Sequence, residues 1–148
     1  MFFGKFEHRL NSKNQVTVPA SFRSAIDESK EGKGWFLFVA ESRCLYLFTP
    51  RGMEEVVERA RSKGSSGDQD FLHLFYSKIV QVECDSQGRI VLPVAMKEAV
   101  GIEQDVIFVG THRRVELWNP AKWQEYEKQH AGEYDTKLGA VVKDVFGL

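Results

Sequence analysis

Two stretches of this chain read alike. Residues 11–23 (NSKNQVTVPASFR) and 85–97 (DSQGRIVLPVAMK) each pass from a polar turn through alternating apolar residues to a proline and a helix-like spacing. At an offset of 74, Val16, Val18, Pro19, Phe22, Ala25 and Ile26 fall on Ile90, Leu92, Pro93, Met96, Ala99 and Val100. The offset then drops to 70, and residues 36–50 (FLFVAESRCLYLFTP) match 106–120 (VIFVGTHRRVELWNP). The four extra residues of the first copy lie within Asp27 to Gly34, a charged, glycine-containing stretch expected to be a loop. A tandem duplication constrains the fold strongly. A chain of 148 residues holding two such copies can bury one good core, or two small ones that share an interface.

Each copy predicts the same elements. A strand enters the turn at 11–15 or 85–89 and a second strand leaves it. Pro19 or Pro93 then opens a short helix, and Gly101 follows the second of these helices where left-handed backbone is needed. A β-hairpin comes next, turning near Glu41–Arg43 or Thr111–Arg113. Thr49-Pro50 and Asn119-Pro120 each supply an N-cap and a proline for a further helix. The apolar stripes of those helices are Met53, Val56, Val57 and Ala60 in one, and Trp123 and Tyr126 in the other.

The organisation expected is repeat 1 at 1–62, linker and helix at 63–76, repeat 2 at 77–130 and an amphipathic tail at 131–148. Residues 62–70 (SKGSSGDQD) have linker composition, and Phe71, Leu72, Leu74 and Phe75 suggest a helix packed on the core. In the tail, Leu138, Val141, Val142, Val145 and Phe146 follow helical spacing, interrupted by Gly139, and are expected to pack on their own chain. No apolar run approaches the ~18 residues of a membrane helix, and Lys5 and Glu7 interrupt any leader-like start. Cys44 and Cys84 lack CxxC spacing, and the four histidines show no metal-ligand spacing with them. These features suggest a cytoplasmic protein without metal or cofactor.

The two turns differ in charge. Asp85 and Arg89 stand where the first copy has Asn11 and Gln15, and Asn14 replaces Gly88. Asp85 can accept backbone N–H groups while Arg89 folds back on its carboxylate, a turn clip that needs no further function. Asn11 can make an Asx turn, and Asn14 tolerates left-handed backbone. Residues 5–23 carry Lys5, Arg9, Lys13 and Arg23 against Glu7, a net +3, whereas residues 79–97 sum to zero. Strand alternation places Lys5, Glu7 and Arg9 on one face and Phe6, His8 and Leu10 on the other, with His8 read as a core histidine. A positive hairpin on a chain of net charge −1 is a phosphate-binding signal.

The opening MFFGKFEHRLNSKNQVTVPASFR and the later DSQGRIVLP resemble the MraZ family, whose members carry paired Asp-x-x-x-Arg turns followed by proline. The resemblance covers residues 1–130. It implies an α+β, mainly β fold of two tandem AbrB-like swapped-hairpin half-barrels forming a pseudo-twofold β-barrel with flanking helices. It also implies a nucleoid-associated transcriptional regulator, a homo-oligomeric ring on double-stranded DNA at short direct repeats upstream of division and cell-wall genes. Its DNA-binding residues would be Lys5, Arg9, Ser12, Lys13, Asn14, Gln15 and Thr17, with Asp85 and Arg89 as the second motif. Gln15, in the arginine position, would donate and accept hydrogen bonds to base edges.

Other classes fit less well. No nucleophile–base pairing, glycine-rich phosphate loop or metal spacing suggests an enzyme or a small-molecule substrate. A single-copy antitoxin module would carry one repeat and a neutralising tail. A non-catalytic ring that has lost DNA binding is the stronger alternative, favoured by Gln15 and a pI near 6.4.

Overall fold

Alternating and β-branched sequence becomes strand wherever the repeats predicted it. The computed structural model describes residues 1–62 and 69–147. The first half contains β1 (Lys5–Arg9), β2 (Gln15–Thr17), α1 (Ala20–Ser24), α2 (Glu28–Glu31), β3 (Trp35–Ala40), β4 (Cys44–Phe48) and α3 (Pro50–Ser62). The second contains α4 (Gln69–Ser77), β5 (Val80–Val82), β6 (Arg89–Val91), α5 (Val94–Ala99), β7 (Asp105–Gly110), β8 (Val115–Trp118) and α6 (Pro120–Phe146). The molecule is α+β, and its sheets are antiparallel. Of the linker expected at 62–70, Ser62 ends α3 and Gln69 and Asp70 begin α4, while residues 63–68 lie outside the described residues.

Six strands form a sheet in the order β1-β7-β8-β4-β3-β5, and β2 pairs with β6 in a separate ribbon. The expected hairpins β3–β4 and β7–β8 are present. The other pairings cross between halves: β1 with β7, β5 with β3, β4 with β8, and β2 with β6. Two registers are set on repeat-equivalent residues, Val16 opposite Ile90 and Tyr46 opposite Glu116. The hydrogen bonds close no barrel among the described residues, because β1 and β5 end the large sheet unpaired with each other. Residues 5–23, expected as one hairpin, instead send β1 into the large sheet and β2 into the ribbon.

Each face of the large sheet buries a different cluster. Leu37, Leu45, Leu47, Phe108, Val115 and Leu117 pack beneath the ribbon, meeting Val16, Val18, Phe22, Ile90, Leu92 and Met96. On the opposite face Cys44, Ile107, Val109 and Trp118 are covered by Trp123 and Tyr126 of α6. Burial pushes the Cys44 thiol up to about 12, leaving it protonated and inert. Glu116 is also buried there, where Arg114 Nε (2.9 Å) and Trp118 Nε1 (3.0 Å) donate to its carboxylate. His8 sits against the Phe108 ring, and burial lowers its pKa, in keeping with a core role.

The caps at Thr49 and Asn119 form as expected: Thr49 Oγ1 accepts from Gly52 N (3.0 Å), and Asn119 Oδ1 accepts from Ala121 N (2.8 Å). Pro19 and Pro93 occupy N-cap positions rather than the first helical turn, with extended ψ near 135°. The loop expected at Asp27–Gly34 contains α2, capped by Asp27 on Ser29 N (3.1 Å) and ended by Gly32 at φ 88°. Acidic Glu28 and Glu31 at the start of this turn favour it. The helix expected on the core is α4; its Phe75 ring meets Phe38, while Leu74 and Tyr76 remain exposed. Past Tyr126, α6 continues through Gly139 to Phe146 as one helix. Leu138, Val141, Val145 and Phe146 are exposed, so the tail does not pack on its own chain as expected. No described helix is long and apolar enough to cross a membrane.

Candidate nucleic-acid interface

The β2–β6 ribbon alternates strictly between inward and outward residues. Val16 and Ile90 point into the core and are buried to within 1%. Gln15, Thr17, Arg89 and Val91 therefore share the outer face. Thr17 lies directly opposite Arg89, and Gln15 opposite Val91. The turn at 11–14 closes the Gln15 end of the ribbon, and the turn at 85–88 closes the Arg89 end.

The two turns share one hydrogen-bond plan. Asn11 Oδ1 accepts from Lys13 N (3.0 Å) and Gln15 N (2.9 Å). Asp85 Oδ1 accepts from Gln87 N and Arg89 N, both at 2.9 Å. A side-chain link completes each clip: Asn11 Nδ2 donates to Gln15 Oε1 (2.8 Å), and Arg89 Nε donates to Asp85 Oδ2 (2.8 Å). The Arg89 backbone N–H contributes most to holding the Asp85 carboxyl below the usual carboxylate range, with the Arg89 side chain and the Gln87 N–H adding to it. Both turns use left-handed backbone, at Asn14 (φ 58°) and Gly88 (φ 77°). Gly88 also lies under the Arg23 guanidinium, which an added Cβ would approach to 2.5 Å. At the other end Lys97 Nζ, the repeat equivalent of Arg23, donates to Asn14 Oδ1 (2.6 Å).

The expected site residues fall into two groups. Lys5 and Arg9 lie on β1 of the large sheet, engaged by Glu127 (3.3 Å) and by Asp105 (3.5 Å) with Gln104 Oε1 (3.0 Å) respectively. Ser12, Lys13, Asn14, Gln15 and Thr17 lie on the ribbon or its first turn, and Asp85 and Arg89 join them from the second half. Sequence reasoning missed that Arg23 and Lys97 also belong here. It also treated the second motif as separate. A usable signal was present, because a strand that pairs with its own repeat about a twofold axis sets equivalent residues opposite one another. Residues 11–23 and 85–97 together carry Lys13, Arg23, Arg89 and Lys97 against Asp85 alone, a net +3 over one ribbon and its turns. Among the described residues no group of three His, Cys, Asp or Glu side chains is placed to hold a metal ion.

Residues 75–140 match the family model described as "MraZ protein, putative antitoxin-like". Over 140 residues the chain is 35% identical to a protein named "Transcriptional regulator MraZ" from Symbiobacterium thermophilum, covering 91% of this chain and 95% of that protein. A protein of the same name from Syntrophomonas wolfei is 31% identical, covering 91% of this chain and 92% of its own length. One from Kocuria rhizophila is 30% identical, covering 99% of this chain and 100% of its own length. With relatedness at this level running through both halves and both turns, the chain belongs to the MraZ family.

Proposed function

We propose that this chain is a transcriptional regulator that binds double-stranded DNA through the outer face of the β2–β6 ribbon. One observation carries the reading: a two-stranded antiparallel ribbon whose outer face presents Gln15, Thr17 and Arg89 under a net +3 charge. An element of this shape fits the ~12 Å major groove, and flanking Lys13, Arg23 and Lys97 would meet the phosphates. The relatives named as transcriptional regulators support the same role.

The cross-half pairings and the registers Val16–Ile90 and Tyr46–Glu116 support two swapped-hairpin units about a pseudo-twofold axis. One such ribbon holds few cations, so affinity would come from several copies on adjacent repeats. The exposed stripe Leu138, Val141 and Val145 on α6 supports the homo-oligomeric ring that the family resemblance implies. The targets would be short direct repeats upstream of the chain's own operon, among division and cell-wall genes.

Fluorescence anisotropy against that upstream DNA tests the reading. Lys13→Ala lowers affinity on all duplexes and reduces the salt slope by roughly one unit. Light scattering at micromolar concentration reports a closed oligomer. An oligomer without DNA affinity would replace the regulator with a structural ring.

A further inference from the structure

Helix α6 leaves the fold partway along its length. Its first turns seat Trp123 and Tyr126 against the sheet. From residue 131 to Phe146 every side chain is exposed except that of Val142, which is half-buried. Four of the exposed residues on this stretch are large and apolar: Tyr134 (62%), Leu138 (43%), Val141 (51%) and Val145 (69%). Counted from Ala131, the steps between them are three, four, three and four residues, the alternation that keeps one seam facing a partner helix. A helix held out in water with such a seam lacks the packing that stabilises most helices.

We propose that this seam pairs with the same seam of a second copy, the two helices running antiparallel. In that register Tyr134 packs against the second copy's Val145, and Leu138 against its Val141, each contact made twice about a twofold axis. The flanking charges choose the direction. Lys137 and Asp144 stand one residue before Leu138 and Val145, on the same side of the seam. Turning one helix end for end sets this side against itself, so Lys137 meets the second copy's Asp144 and Asp144 its Lys137. Lys137 Nζ already reaches Glu133 Oε1 (2.6 Å) along its own helix, and the exposed ammonium can serve both carboxylates. A parallel pair would set the Lys137 side against Val142 instead. The antiparallel arrangement also opposes the helix macrodipoles and leaves the two folded bodies at opposite ends.

The seam is shorter than the three to four heptads that mark an isolated coiled coil, so one pair of tails binds weakly. Several tails carried on one oligomer add their contributions. The contact relates two chains by a twofold axis and is therefore additional to any head-to-tail contact that closes a ring. It goes beyond the DNA-binding reading and does not depend on it.

Disulfide trapping in the full chain tests the register. Tyr134→Cys and Val145→Cys are introduced together and singly in a Cys84→Ser background, Cys44 being buried and protonated. Both positions are exposed, so folding is retained and is checked by circular dichroism. Under mild oxidation the double variant gives a covalent dimer on a non-reducing gel. Each single variant loses it, because the two copies of residue 134 then lie eleven residues apart along the axis, ~16 Å, beyond disulfide reach. Adding Lys137→Asp to the double variant slows cross-linking about threefold or more, and adding Asp144→Lys as well restores the rate. Restoration is the outcome that a mere loss of helix stability would not give.

Cross-linking by Tyr134→Cys alone means a parallel pair and overturns the inference. Absence of a dimer in the double variant, or a charge exchange that does not restore the rate, also overturns it and assigns the seam to a different surface, such as the groove between α3 and α4, or to another protein. Each of these outcomes leaves DNA binding by the ribbon standing, since the tail is no part of it.

Discussion

The turn at Asn11–Gln15 and the turn at Asp85–Arg89 perform one structural task with different chemistry. Each gathers two backbone N–H groups onto one side-chain oxygen and closes with a side-chain link of 2.8 Å. The first does so with two neutral amides and the second with an ion pair. Geometry is therefore set by the acceptor at the first position and left-handed backbone at the fourth. The charge is free to answer to something else. An exposed ion pair adds little stability over a neutral hydrogen bond, so losing it from one turn has cost the fold little.

Removing the acceptors should have the largest effect and tests whether the turns are equivalent. Asn11→Ala leaves two N–H groups to find water and lowers stability by about 1 kcal/mol in urea unfolding. Asp85→Ala is expected to lower it further, because Arg89 loses its anchor as well. Equal losses would mean that the ion pair contributes nothing beyond the amide clip.

The fourth positions should give an effect no larger than these at Gly88 and a smaller one at Asn14. Gly88→Ala places a Cβ in left-handed backbone under the Arg23 guanidinium and costs about 1 kcal/mol. Asn14→Gly relaxes the matching position and changes stability by less than about 0.5 kcal/mol, since it sacrifices only the partly exposed Lys97 contact. A large loss at Asn14 would show that Lys97 is structural at that end.

The smallest expected difference concerns pH. The folded Asp85 pKa lies below its unfolded value, so the unfolded chain binds more protons in acid. The stabilisation is present above the ordinary aspartate range and is lost as pH falls through the folded pKa. Asp85→Asn should flatten the acid limb of stability between about pH 4 and the acid end of the curve. Asn11→Asp with Gln15→Arg should steepen it. An acid limb unchanged in both variants would break the comparison.

Much of this architecture was legible because the repeat states its elements twice. The hairpins β3–β4 and β7–β8, the caps at Thr49 and Asn119, and the inward set Phe6, His8 and Leu10 all follow from local pattern. Partner choice was not legible. Alternation fixes which face of β1 is buried, but nothing local says that Lys5–Arg9 pairs with Asp105–Gly110. The same distance hid the acidic partners of Lys5 and Arg9, Glu127 and Asp105, which made residues 5–23 look more available to phosphate than they are. For the candidate site, the residue types at 11–17 and 85–89 were visible. Their meeting on one ribbon depended on a pairing between halves. Helix α6 joins the second repeat's helix to the expected tail without a break, because its two interior glycines, Gly132 and Gly139, cost only ~1 kcal/mol each, which a 27-residue helix absorbs.

The exchange of strands between halves also governs how the chain comes into being. Lys5 pairs with Val109, so the first strand synthesised waits for more than a hundred further residues before its neighbour exists. At ~5–20 residues per second, the wait on a ribosome is roughly 5–20 s. Throughout it β1 has unsatisfied edges, and β2 waits in the same way until Arg89–Val91 is made. Charged Lys5, Glu7 and Arg9 along β1 help keep that waiting strand from joining another nascent chain. The strand order thus makes completion of the large sheet a late event in synthesis, since β1 cannot be paired in a chain that ends before β7.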